Sequence, residues 1–170
     1  MSDWLLVRPA VPADADALVA LGRAVASEEE LWLTYDRNRS DERRNLRGVR
    51  RDPNVAIFVA ETAEGVAGRL SIARNRHPHS RHVAEVGLMV AANQRRRGIG
   101  SALMEEALSW ARAAGITKVE LEVFPHNTPA LALYRKLGFE EEGRRRNLYR
   151  IGGHHVDVIL MSIELDEARH

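Results

Sequence analysis

The chain has no cysteine in its 170 residues. Disulfide scaffolds, thiolate metal sites and cysteine nucleophiles are therefore excluded. It also lacks an excess of either charge: 25 Lys and Arg stand against 24 Asp and Glu, for a formal net charge of +1. A nucleic-acid binder draws much of its affinity from releasing phosphate counterions and carries a basic surplus, so no nucleic-acid partner is expected. No apolar run approaches the roughly 20 residues that span a bilayer. The opening MSDWLLVRPA has no basic stretch followed by an apolar one. The expectation is a cytoplasmic protein with no membrane segment and no secretory signal. No internal repeat, low-complexity tract or linker interrupts the chain. With 45% hydrophobic and 29% charged residues, it predicts one soluble domain over 1–170, long enough to enclose a core.

What is present is periodic. Trp4 to Arg8 is a short apolar run closed by Pro9, and reads as a strand. From Pro12 a helical pattern places Leu18, Leu21 and Val25 on one face. Ser40-Asp41-Glu42 resembles a helix start, with acidic groups at the positive end of the dipole. The stretch from Ser27 to Asn38, with Trp32 and Tyr35, has no period and receives no assignment. Val55–Ala60 and Val66–Ala73 read as a hairpin turning at Glu64-Gly65, and Val83–Val90 as a further strand. Gly98–Ala114 is the strongest helix, with Ile99, Leu103, Ala107, Trp110 and Ala114 on one face and Gly115 as its stop. Val119–Phe124 alternates apolar residues with Glu120 and Glu122. Thr128 can cap another helix, with Pro129 at its first position and Gly138 past its end. From Phe139 the chain returns to strands that turn near Gly152-Gly153. This order predicts an α+β or α/β three-layer fold in which Val83–Val90, the long helix and Val119–Phe124 make a βαβ unit.

The stretch QRRRGIGSAL, residues 94–103, lies between that strand and that helix. Unpaired N–H groups at a helix start form an anion site, and glycines permit close approach. Gly98 and Gly100 stand where this is needed, and neighbouring arginines can add charge-assisted contacts to phosphate. A dinucleotide G-x-G-x-x-G would need glycine where Leu103 stands, and the Gly-Lys-Ser/Thr of a P-loop is missing. The alternative for the same residues is a tight connection with solvated arginines.

The stretch VGLMVAANQRRRGIGSALMEEALSWARAAGITKVELEVFPHNTPALALYRKLGFEEEG resembles the core of the GCN5-related N-acetyltransferases (GNAT superfamily). Their phosphate turn, Gln/Arg-x-x-Gly-x-Gly/Ala, is matched by Arg95-Arg96-Arg97-Gly98-Ile99-Gly100. Their second signature, an Asn before a helix carrying Leu-Tyr and then Gly-Phe, is matched by Asn127, Leu133-Tyr134 and Gly138-Phe139. The resemblance implies a mixed, largely antiparallel twisted sheet with a central βαβ unit and helices on both faces. It implies acetyl-CoA as cosubstrate, with no metal. The pyrophosphate is expected on Arg95, Arg96, Arg97, Gly98, Ile99, Gly100 and Ser101, and the cofactor arm along Leu88, Met89 and Val90. Asn127 matches a residue that hydrogen-bonds the cofactor; read without the resemblance, it is loop chemistry beside a helix cap.

Acetyl transfer to an amine needs a deprotonated amine, a donor for the oxyanion, and a proton or hydrogen bond for the departing sulfur. Backbone N–H groups of Leu88–Val90 suit the second role. Tyr134 occupies the family's general-acid position; read alone, it is a core aromatic on a face with Ala130, Leu131 and Leu137. Glu85 is the candidate base, the alternative being a solvated strand residue, with Glu120, Glu122 and His126 behind it. His77, His79 and His82 beside Pro78 read as a surface loop rather than a metal site. Arg144–Arg146 read as charges on an exposed strand edge. The C-terminal run is similar to family branches that acetylate amino acids or ribosomal-protein N-termini, and the first-helix region shapes the acceptor pocket in the family. The expected partner is thus a small-molecule or peptide amine, and the resemblance allows a homodimer through the C-terminal strands. The rivals are a polyamine or antibiotic acetyltransferase and a non-enzymatic CoA-binding module.

Overall fold

The computed structural model of the chain describes residues 4–166. Met1, Ser2 and Asp3, which open the stretch read for a secretory signal, lie outside the described residues. The elements run β1 (Leu5–Pro9), α1 (Ala15–Ala26), α2 (Arg39–Arg51), β2 (Val55–Thr62), β3 (Gly65–Arg74), β4 (Val83–Val90), α3 (Ile99–Ala113), β5 (Lys118–Val123), α4 (Thr128–Lys136), β6 (Glu140–Ile151) and β7 (His154–Glu164). The strands make a mixed, mostly antiparallel sheet in the order β1-β2-β3-β4-β5-β7-β6. This is the expected fold class. The chain divides into two interleaved compact units, Met1–Ala73 with Gly87–Trp110, and Arg74–Val86 with Ala111–His170.

In the first unit β2 pairs antiparallel with β1 and β3, and Gly65 closes the hairpin. Helix α1 buries Leu18, Leu21, Gly22 and Val25, positions that recur along one face. Its entry is fixed by Arg8, which donates two 2.8 Å bonds to Asp14, while Asp14 also accepts the Val11 N–H. Helix α2 starts one residue before the expected Ser40. Asn38 caps it, its side-chain oxygen accepting the Asp41 N–H at 3.0 Å. On this arginine-rich helix only Glu42 and Leu46 are buried. Adjacent residues of β3 point opposite ways: a Cβ at Gly68 would meet Leu103 and Ile99 of α3, whereas Arg69 turns toward Glu42 of α2. Helices therefore cover both faces here.

In the second unit β4 runs parallel to β5 through Val83↔Lys118, Ala84↔Val119 and Glu85↔Glu120, the expected βαβ arrangement. Strand β7 pairs antiparallel with both β5 and β6. Arg74 donates to the carbonyls of Arg81 and Ala114, tying the β3–β4 connection to the C-terminal end of α3. Two sequence expectations are corrected. Along the whole of α3, the buried face is Ile99, Leu103, Met104, Ala107, Leu108 and Ala111. Trp110 and Ala114 are only half-buried, because the apolar stripe turns toward Met104 and Leu108. At α4 the cap is Asn127, not Thr128; its side chain accepts the Ala130 N–H at 3.3 Å, and Thr128 and Pro129 follow inside the first turn.

Candidate active site

The β4–α3 turn belongs to the first unit. Ala91 donates to the Ala67 carbonyl at 2.8 Å, which anchors the end of β4 to β3. A 3-10 turn at Ala92–Gln94 follows, with Gln94 buried and donating to Glu64. Arg96 and Gly98 then take left-handed conformations, φ +64° and +78°. At Gly98 a Cβ would meet nothing within 4 Å. A side chain there would be strained by its backbone, at the residue immediately before the first amides of α3. Open space, exposed N–H groups and the positive helix end together fit a diphosphate.

Two of the three arginines are held by the protein itself. Arg95 makes a bidentate pair with Glu28 at 2.6 and 2.7 Å and also donates to the Val90 carbonyl. Arg97 donates to the Gln94 side chain at 3.0 Å. They brace the turn, and its backbone donors remain those of the α3 start. Leu88, Met89 and Val90 approach the turn half-buried along β4.

The second unit carries the candidate acid and base. Tyr134 is buried on α4, with its ring 5.9 Å from that of Phe139. Phe139 returns its N–H to the Tyr134 carbonyl at 2.9 Å, a helix ending that Gly138 permits at φ +99°. Burial pushes the Tyr134 phenol up to about 12. The Asn127 oxygen caps the same helix, which leaves its amide nitrogen as the end that could donate to a cofactor. Glu85 lies opposite Glu120 in the β4–β5 ladder. Desolvation raises its carboxyl, as do the charges of Glu122 and Glu120, and Arg145 partly offsets them. Arg145 itself pairs with Glu122 at 3.2 Å. His126 stacks on Phe124 with ring centroids 5.7 Å apart. His77 uses its Nδ1 to accept the His79 N–H, a local turn contact.

One cluster in the first unit has no counterpart in the sequence reading. Glu42, fully buried, accepts a 2.6 Å bond from the Tyr35 hydroxyl and a longer one from Asn45. Arg37 and Arg69 stand 3.5 and 3.6 Å from its two oxygens. Burial alone would raise this carboxyl; the Tyr35 hydroxyl, Arg69 and Arg37 outweigh it and hold the group below its ordinary value. Gly22 makes room for the Tyr35 ring, which a Cβ there would meet at 2.4 Å. The only available signals were Tyr35 and the acidic start of α2, and neither names its partner.

The strand–turn–helix arrangement and the sheet order agree with comparisons to known proteins. The chain is similar to the L-amino acid N-acetyltransferase AaaT of Escherichia coli K12, 35% identical over 114 residues that cover 65% of this chain and 68% of that one. Among solved structures it resembles the ribosomal-protein-alanine N-acetyltransferase of Brucella melitensis, at 29% identity and TM-score 0.84, covering 94% of this chain and 99% of that one. A Salmonella typhimurium acetyltransferase, solved with acetyl-CoA, shares the fold at 20% identity and TM-score 0.85, over 98% and 96% of the two chains. The class is thus that of the N-acetyltransferases. The family model "Acetyltransferase (GNAT) family" matches residues 22–139, and the chain belongs to that family.

Proposed function

We propose that the protein transfers an acetyl group from acetyl-CoA to a primary amine, of an amino acid or of a peptide or protein N-terminus, by direct attack on the thioester. The observation that supports this reading is the turn before α3, where Gly98 takes φ +78° immediately before the helix and opens onto free space where a side chain would begin. The acceptors named for AaaT and for the Brucella enzyme support an amino-acid or N-terminal amine.

Acetyl-CoA brings the activated acetyl group. Residues Arg95–Ser101 receive its diphosphate, chiefly through main-chain N–H groups, and Leu88–Val90 supply N–H donors toward the oxyanion. Tyr134 keeps its proton at neutral pH. A phenol at about 12 is a weaker acid than a thiol near 8.5. Its fitting role is therefore a hydrogen bond to the sulfur as the C–S bond breaks, not release of a free proton. Glu85, its carboxyl raised above the ordinary value by desolvation and by Glu122 and Glu120, takes the proton that the acceptor ammonium must lose. We place all these residues in one N-acetyltransferase domain of a cytoplasmic protein.

The test is an acceptor screen of amino acids, peptides and polyamines read as CoA released. Turnover with amino acids or peptides supports the reading. Saturable CoA binding with no turnover on any amine replaces it with a binding module.

A further inference from the structure

The cluster around Glu42 holds more positive charge than negative. Arg37 and Arg69 share one carboxylate, and Tyr35 and Asn45 add only neutral donors. Among the described residues no second carboxylate acts on Arg69: apart from burial, it feels Glu42, Arg37 and Tyr35. Arg69 is 9% exposed. Its Nε is enclosed without a hydrogen bond, and so is the Nη1 of Arg37, which faces Glu42 only at ion-pair distance, 3.5 Å. A buried cation in excess is costly, and donors without acceptors are rare in a folded interior. The cluster is not sealed, because the Arg37 side chain is 41% exposed. The exposed part of Arg37, not its enclosed Nη1, is therefore where the cluster faces solvent.

Its place on the sheet is informative. A Cβ at Gly68 would stand 3.2 Å from the Met89 carbonyl oxygen, and one at Gly87 would stand 3.5 Å from Ser71 Oγ. Arg69 lies between Gly68 and Ser71, so it runs along β3 beside the Gly87–Met89 stretch of β4. That is the strand to which the proposed function assigns the acetyl group.

We propose that Arg37, backed by Arg69, is the subsite for a carboxylate on the acceptor, which makes the substrate class free amino acids rather than peptide N-termini or amides. This rests on the acetyltransferase reading. With such an acceptor bound, two guanidiniums meet two carboxylates. The planar fork of Arg37 suits a carboxylate better than an amide carbonyl, which carries no charge and only one acceptor oxygen.

The experiment compares a panel of L-amino acids with their carboxamides in wild type, Arg37→Gln and Arg37→Lys. Loss of a charge-assisted hydrogen bond of this kind amounts to about 10- to 100-fold in kcat/KM. Wild type is expected to prefer the acids by that factor. Arg37→Gln should lower the acids about 10- to 100-fold more than the amides, so that the preference between them disappears, and Arg37→Lys should recover part of it. Equal use of acids and amides by wild type overturns the subsite, as does a preference that survives in Arg37→Gln. Calorimetry with the amino acid titrated into CoA-saturated protein separates the two readings. Amino-acid uptake that Arg37→Gln abolishes keeps the subsite even if no amine turns over, an outcome that removes only the acetyltransferase reading. No uptake by wild type overturns the subsite even if other amines are acetylated.

Discussion

Two glutamates in the first unit hold arginines in opposite ways. Glu28 grips Arg95 through two short bonds at the surface, with side-chain exposures of 17% and 36%. Glu42 sits between Arg37 and Arg69 at longer range, with no exposure at all. Solvent screens the first pair, which braces a turn whose shape its own backbone already sets. The second is desolvated and joins a strand, a helix and an irregular loop, so its removal leaves charges with nowhere to go. Short distance and structural importance therefore point to different pairs.

The sharpest way to break that contrast is Glu42→Gln. Removing one partner of a buried ion cluster costs about 3–5 kcal/mol, which should lower Tm by about 10 °C at this chain length. An unchanged Tm would show that the cluster is not structural. In the second unit, Tyr134→Phe keeps the packing and loses one donor. Turnover should fall about 100-fold with acetyl-CoA affinity unchanged, in line with losing one hydrogen-bond donor to charge that develops in the transition state; full activity removes Tyr134 from the reaction. Gly98→Val tests the turn: a β-branched side chain at φ +78° should raise the KM for acetyl-CoA about 10-fold or more through strain and blocked approach. Glu28→Gln should change stability by less than about 1 kcal/mol, and a larger loss would erase the difference between the two glutamates.

The smallest effect is one of pH. The Glu85 carboxyl is raised in the fold, so its protonated form is the favoured one there. It adds stability at acidic pH and loses that contribution as pH rises through the raised value. Glu85→Gln should therefore melt slightly higher than wild type at pH 8, with the gap closing toward pH 4. If Glu85 is the base, the acid limb of kcat/KM lies above the ordinary glutamate range and disappears in the variant.

What could be read beforehand was whatever the chain specifies over a few neighbours. The β4–α3 turn needs glycine at one left-handed position and helix amides just after it, and Arg95–Gly100 spell this out locally. The helix stops at Gly115 and Gly138 are of the same kind. The α4 cap was misplaced by one residue because Asn127 and Thr128 are both good caps, and only the observed bond to the Ala130 N–H separates them. The Glu42 cluster was beyond reach. Tyr35, Arg37, Glu42 and Arg69 come from a loop, a helix and a strand, and nothing in their spacing announces that they meet. The sequence marks Glu42 only as one of the acidic groups at the positive end of the α2 dipole. Its actual partners lie up to 27 residues away on β3, at Arg69.

The chain passes from one compact unit to the other in the middle of β4, between Val86 and Gly87, and again in the middle of α3, between Trp110 and Ala111. Neither unit is a single run of codons. A recombination event that exchanges one contiguous segment with a homologue cannot deliver one unit without part of the other, and any crossover between residues 74 and 110 makes hybrids of both. Exchanging the half that carries the β4–α3 turn and the Glu42 cluster therefore always carries part of the half that holds Glu85 and Tyr134 with it, or splits its own.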